Sequence, residues 1–271
     1  MIEALVLAGC GKMGGAMLEG WLDQGLNPGA VHVVEPVAEM ADALHRGHGV
    51  NAVAGISELP ADLVPDVVVF AVKPQVMSSV APDYARFDNP RTVFLSIAAG
   101  KPISYFEDTL GAGSAVVRSM PNTPAAVRQG ITVACPNTHV TAQQRQLCET
   151  LLTAIGAVEW IDDEGLIDAI TALSGGGPAY VFLLVECLAE AGVAAGLPRD
   201  LSERLARVTV SGSGELLRQS IEEPATLRKN VTSPGGTTAE ALKVLMADDG
   251  WQLLVTRAIA AATDRSRELA G

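Results

Sequence analysis

Within residues 230–242, "NVTSPGGTTAEAL", the segment 233–238 sets three hydroxyl residues and two glycines at the mouth of a helical run. Pro234, Gly235 and Gly236 demand a loop. The helix that follows leaves its first amide hydrogens without partners inside the helix. The amides of Gly235, Gly236 and Thr237, with Ser233 beside them, read as a cradle for a small carboxylate. Thr237 or Thr238 can offer a hydroxyl to a second substrate atom. The plainer alternative is an ordinary cap, because hydroxyls at helix starts are common.

A second constellation opens the chain. "VLAGCGKMGGAM" places Gly9, Gly11 and Gly14 in GxGxxG spacing between a strand and a helix. Gly9 permits a tight turn, Gly11 lets backbone approach a pyrophosphate, and Gly14 lets helix and strand pack closely. Lys12 and Met13 lie inside this turn and count as cofactor contacts by their place in it. Glu35 ends the next strand at about the distance expected of a carboxylate that binds a ribose hydroxyl. Further strand ends converge on the same crevice, since open α/β sheets bind ligands at their carboxyl ends. They supply Ala71, Val72, Lys73 and Pro74 from "AVKPQ", Ala98 from "SIAAG", and Asn122 from "SMPNTPA". Lys73 suits a phosphate or a helix cap, and equally a plain surface position. Asn122 and Thr123 suit a nicotinamide amide or a substrate group, or only the turn between two prolines.

Other candidates carry less. His45 and His48 have no carboxylate or cysteine set near them, and Glu186 and Glu190 read as the wet stripe of a helix. With no GxSxG and no HExxH, the chemistry reads as metal-free.

These residues need elements to hold them. "EALVLA" (3–8), "VHVVE" (31–35), "DVVVFAV" (66–72) and "TVFLSIA" (92–98) read as buried strands, and 115–120, 131–135 and 157–161 as weaker ones. Near-continuous Val, Ile and Leu imply a parallel sheet covered on both faces, with crossover helices such as "GGAMLEGWLDQG". After Trp160 the strand signals stop and helical stretches follow. The expected organisation is α/β: a doubly wound Rossmann-type domain over 1–161, then an all-helical domain over 162–271. Ala and Gly fill most sides of the segment 189–196, so these helices call for a second subunit. The formal net charge is -12 with no basic cluster, which argues against nucleic-acid or anionic-membrane partners. Four scattered cysteines and an N-terminus without a basic start suggest a soluble, cytoplasmic protein. The most membrane-like stretch, 179–196, reads as too short to span a bilayer.

Together "LAGCGKMGGAM", "AVKPQ", "SMPNTPA", "LSGGGPAY" and "NVTSPGGTTAEAL" resemble pyrroline-5-carboxylate reductase, in order and across essentially the whole chain. One departure is Gly176, where that family usually has serine. The resemblance implies hydride transfer from NADH or NADPH to the C=N bond of 1-pyrroline-5-carboxylate, giving L-proline. It also implies a helical dimerisation domain, with dimers often assembled into larger rings such as a decamer. Thr238 matches the family's threonine, whose hydroxyl would bond the ring nitrogen. Ser233, Gly235, Gly236 and Thr237 match its carboxylate cradle. Glu35 favours NADH, since a carboxylate there repels a 2′-phosphate. The rival readings are a β-hydroxyacid dehydrogenase and a non-catalytic nucleotide-binding dimer. The first needs a lysine on the helix that opens the second domain, and residues 174–196 contain none.

Overall fold

The computed structural model describes residues 2–270 and divides the chain into two compact units. One runs to Gly175 and regains the chain from Thr263 onward; the other is Gly176–Ala262. This division falls later than the 161/162 boundary expected from composition. The segment after Trp160 stays with the first unit because Glu164 is tied to it. Glu164 Oε1 accepts from Arg118 Nη1 at 2.6 Å and from the Ile103 amide at 2.8 Å. At the other end, Ser266 Oγ donates to Asp168 Oδ1 at 2.6 Å, which holds the last turns of the chain to the same unit.

The first unit is built on one sheet of β1 (Leu5–Ala8), β2 (Val31–Val34), β3 (Asn51–Val53), β4 (Val67–Phe70), β5 (Val93–Ser96), β6 (Ala115–Met120), β7 (Gly130–Pro136) and β8 (Gly156–Trp160). Their spatial order is β3-β2-β1-β4-β5-β6-β7-β8. β1 pairs with β2 on one side and β4 on the other, so the order reverses beside β1. β3 is absent from the sequence expectation because it is three residues long, at the edge, and without a hydrophobic run. The sheet is parallel except where β7 runs antiparallel to β6. Only residues 121–129 join those two strands, too few for the crossover that a parallel pair needs.

Alternate strand residues point to opposite faces. Leu5, Leu7, Val67, Val69, Val93 and Leu95 pack with Met17, Leu18 and Trp21 of α1 (Lys12–Asp23) and with Leu151 and Leu152 of α5 (Ala142–Thr153). Val6, Val68, Phe70 and Phe94 face the other way, against Met77 of α3 (Pro74–Val80) and Phe106 of α4 (Ile103–Leu110). Covering both faces is why the strand sequences do not alternate. α2 (Ala38–His48) packs Leu44 on the same face as α1 and ends at Gly49 in the left-handed region.

After β8 a helical run begins. It contains α6 (Ile167–Ile170), a π-helical turn at Thr171–Gly175, and α7 (Gly177–Ala194). The run Glu164–Ala194 is 31 residues long and, by length and composition alone, is able to cross a membrane. That exceeds the stretch read from sequence, because helix continues upstream of Ala179.

The second unit holds α7, α8 (Arg199–Gln219), α9 (Pro224–Asn230), α10 (Thr237–Leu245) and the greater part of α11 (Trp251–Ala270). α7 and α8 pack closely: Ser202 Oγ donates to the Ala189 carbonyl at 2.6 Å. Within this unit only Ala189, Ser202 and Ala206 are buried, while Phe182 is 63% exposed and Val244 73%. A helical layer with so little interior has no core of its own.

Candidate active site

The register of the sheet brings the sequence motifs to one level. Ala8 pairs with Val34 and Phe70, Phe70 with Ser96, and Ser96 with Arg118. The residues just beyond, Gly9, Glu35, Ala71, Ile97 and Ser119, therefore stand along one edge, at the carboxyl ends of the strands.

Gly9 has φ 84°, and a Cβ there would lie 2.8 Å from Val72 Cγ1. At Gly14 a Cβ would lie 2.7 Å from the Gly9 carbonyl oxygen. Both positions exclude a side chain, one by conformation and one by close approach. Gly11 differs: nothing lies within 4 Å of its Cβ position. It is the N-cap of α1, and no side chain caps that helix. The first-turn amides of Lys12, Met13 and Gly14 thus lack a side-chain acceptor beside open space. That arrangement fits the pyrophosphate of a dinucleotide, which wants amide donors and close backbone.

Glu35 is buried, and its carboxylate is already employed. Oε2 accepts from the Cys10 amide at 3.1 Å and Oε1 from the Val37 amide at 3.2 Å. Each oxygen keeps a second lone pair for a ribose hydroxyl. Burial, then the nearby Glu35 carboxylate, pushes the Cys10 thiol up to about 11, so it stays protonated and unreactive at neutral pH. Just past β4 the Ala71 amide donates to the Ala8 carbonyl at 2.9 Å, which draws Ala71 and Val72 against the glycine turn. Lys73 is the exposed N-cap of α3, and Pro74 begins that helix. Ala98 is buried, its amide donating to Ser96 Oγ at 3.2 Å.

Asn122 has internal partners. Its Nδ2 donates to the Ser174 carbonyl and to Ser174 Oγ, both at 3.3 Å, and its Oδ1 accepts from the Ile131 amide at 2.9 Å. Thr123 opens a 3₁₀ turn over Thr123–Val127. Sequence reading did not single out Ser174 as Asn122's partner. The available signal was Pro178, four residues on, which has no N–H for the Ser174 carbonyl.

In the second unit, Ser233, Pro234, Gly235 and Gly236 form a tight turn. The Gly236 amide donates to the Ser233 carbonyl at 3.0 Å, and Gly235 has φ 70°. Proline followed by a left-handed glycine is the signature of a type II turn. Gly236 is the N-cap of α10, and no side chain caps the helix. This is not the ordinary Ser/Thr cap that sequence left open. It also removes one expected donor, since the Gly236 amide is taken by the turn. The amides of Gly235, Thr237 and Thr238 remain, with the Thr237 and Thr238 residues exposed.

His45 Nδ1 lies 2.8 Å from the Val50 carbonyl and serves its own loop. Glu190 binds Arg199 through both oxygens, at 2.6 and 3.1 Å. A groove of about 1150 Å³ lies at the other end of the strands, lined by Trp21, Asp66, Arg91 and Gln144. It is at the amino ends, where open α/β sheets do not bind their ligands.

Residues 164–269 match the family described as pyrroline-5-carboxylate reductase dimerisation, and residues 4–100 match NADP oxidoreductase, coenzyme F420-dependent. The chain is 41% identical over 266 residues to a pyrroline-5-carboxylate reductase of Pseudomonas aeruginosa, covering 98% of this chain and 96% of that one. It is 35% identical to the Escherichia coli enzyme of the same name, covering 99% of both. Among solved structures, a pyrroline-5-carboxylate reductase from Coxiella burnetii superposes with a TM-score of 0.92 at 34% identity, covering 99% of both chains. The Plasmodium falciparum pyrroline carboxylate reductase with NADP bound gives 0.82 at 30% identity, covering 99% of this chain and 98% of that one.

Proposed function

This chain belongs to the pyrroline-5-carboxylate reductase family, and from that premise we propose that it reduces the C=N bond of 1-pyrroline-5-carboxylate to give L-proline. Reduced nicotinamide, when bound, supplies the hydride. The observation that carries the reading is the type II turn at Ser233–Gly236 ahead of an uncapped α10. It leaves amide donors of Gly235, Thr237 and Thr238 for a small carboxylate, with Ser233 alongside. The Thr238 hydroxyl donates to the ring nitrogen as its basicity rises. A protonated imine is already electrophilic, so positioning and one hydrogen bond suffice.

In the same reading the amides of Gly11, Lys12, Met13 and Gly14 take the pyrophosphate. Glu35 takes a ribose hydroxyl, and Ala71–Pro74, Ala98 and Asn122 border the rest of the dinucleotide. Glu35 favours NADH over NADPH, supported by Arg46 being paired with Asp42 and by no arginine lying nearer in sequence. By role we divide the chain into 1–161 for the dinucleotide and 162–271 for substrate and dimerisation, although 162–175 and the last turns of α11 pack with the first unit. The apolar surface of α7 and α8 is covered by a second copy rather than by lipid. Dimers assemble further into a ring such as a decamer, in the cytoplasm.

The test follows oxidation of NADH and NADPH by the purified protein, with and without pyrroline-5-carboxylate. Oxidation only with the imine, and proline as product, is the expected result. Turnover of 3-hydroxyisobutyrate without turnover of the imine overturns it in favour of a β-hydroxyacid dehydrogenase.

A further inference from the structure

Two motifs that lie far apart in sequence, 119–125 and 174–180, meet at the carboxyl end of β6. A Cβ on Gly175 would stand 2.5 Å from Met120 Cε, and Asn122 bonds Ser174 through its amide nitrogen. Between α6 and α7 the helix widens into a π turn over Thr171–Gly175. Such turns are costly interruptions that cluster at functional sites.

The reason for the partnership lies in the chain. A regular α-helix gives the Ser174 carbonyl an amide hydrogen from residue 178, but Pro178 has none. The next amide, Ala179, donates instead to the Gly176 carbonyl at 3.0 Å. Asn122 Nδ2 supplies the donor the helix lacks. Its Oδ1 is held at the same time by the Ile131 amide, so the Asn122 side chain is pinned from both ends.

The location gives the brace a purpose. β6 lies two strands beyond β4 in the direction away from β2, while the glycine turn sits on β1. A dinucleotide whose pyrophosphate lies at Gly11 and whose adenosine half points toward Glu35 directs its reactive half toward β4, β5 and β6. There Gly175, with no side chain, lets the π turn close against Met120 at the end of β6, beside the path of that half.

We propose that Asn122 is a positioning residue: through Ser174 it holds the π turn in the conformation that seats the nicotinamide, and so governs the hydride step rather than cofactor affinity. The inference rests on the reductase reading above.

The experiment compares wild type with Asn122→Ala, Asn122→Asp, and Asn122→Ala combined with Pro178→Ala. Replacing Pro178 returns an N–H to the Ser174 carbonyl and lets the turn relax to α-helix. Asn122→Asp keeps the acceptor for Ile131 but loses the donor to Ser174, and so serves if the alanine variant does not fold. Both single variants are expected to lower kcat by about tenfold or more while the cofactor KM moves by less than about threefold. The double variant is expected to recover Tm yet keep the low kcat. Emission of bound NADPH without substrate gives a readout independent of turnover, and is expected to differ from wild type in the double variant. Recovery of both Tm and kcat there reduces Asn122 to a structural brace, and unchanged kcat in the single variants overturns the proposal outright. An inactive wild type refutes the reductase reading instead. In that case unchanged NADPH emission in the double variant still overturns this one.

Discussion

Thr238 is exposed, it follows the uncapped start of α10, and its hydroxyl is available to a ligand. Removing it costs no buried hydrogen bond in the free protein, so Thr238→Ala should leave Tm nearly unchanged. If its hydroxyl strengthens a bond to nitrogen as hydride arrives, kcat/KM falls by about 10- to 100-fold with cofactor affinity unaltered. Unaltered kinetics in the folded variant would make it a plain surface threonine. Glu35 sits in the opposite situation: buried, with two backbone amides on its carboxylate. Glu35→Ser removes both the charge and these acceptors. Wild type is expected to show a lower KM for NADH than for NADPH, and Glu35→Ser to narrow or reverse the difference. A wild-type preference for NADPH would place the ribose away from Glu35.

The starts of three strands are tied together by Asp66. Its Oδ2 accepts from the amides of Glu3 and Ala4, at 2.6 and 3.2 Å, and its Oδ1 from Arg91 Nε at 2.8 Å. These precede β1 and β5, while Asp66 itself precedes β4. Burial alone would raise the carboxyl, but the Glu3 amide, Arg91 and the Ala4 amide outweigh it and hold it below its ordinary 3.8. A group depressed in the folded state adds stability above its unfolded pKa and loses it as pH falls through the folded value. The stability gap between wild type and Asp66→Asn is therefore expected to be full at pH 7 and to close progressively below about pH 4. Urea unfolding at a series of pH values measures it. A gap that persists at the acid end would mean that Asp66 acts by shape rather than by charge.

At the scale of the molecule, the helical unit cannot be stable as it stands alone. Leu183 and Val208 are 56% and 61% exposed on α7 and α8, and the unit buries only three small residues. Burying one such side chain fully contributes roughly 1.5–3 kcal/mol, and a twofold interface repeats the gain. Leu183→Glu together with Val208→Glu is expected to shift the protein to monomer in sedimentation and to lower Tm. An unchanged dimer with unchanged Tm would put the interface on other faces.

Requirements that are local were legible in the chain. The left-handed turn at Gly9, the crowding at Gly14, the loop before α10 and the two-sided burial of β1, β4 and β5 each follow from a few neighbouring residues, because φ, side-chain volume and hydrophobic runs are properties of short segments. Which non-local group arrives alongside is not such a property, and there the tertiary structure decided. It turned β7 antiparallel, added the short edge strand β3, and carried the last turns of α11 back to Asp168. It committed the Gly236 amide to its own turn and gave the amide of Asn122 to Ser174, whose carbonyl Pro178 had left without a donor. A polar group declares its chemistry in the sequence, but its partner is set by the packing that brings two distant segments within about 3 Å.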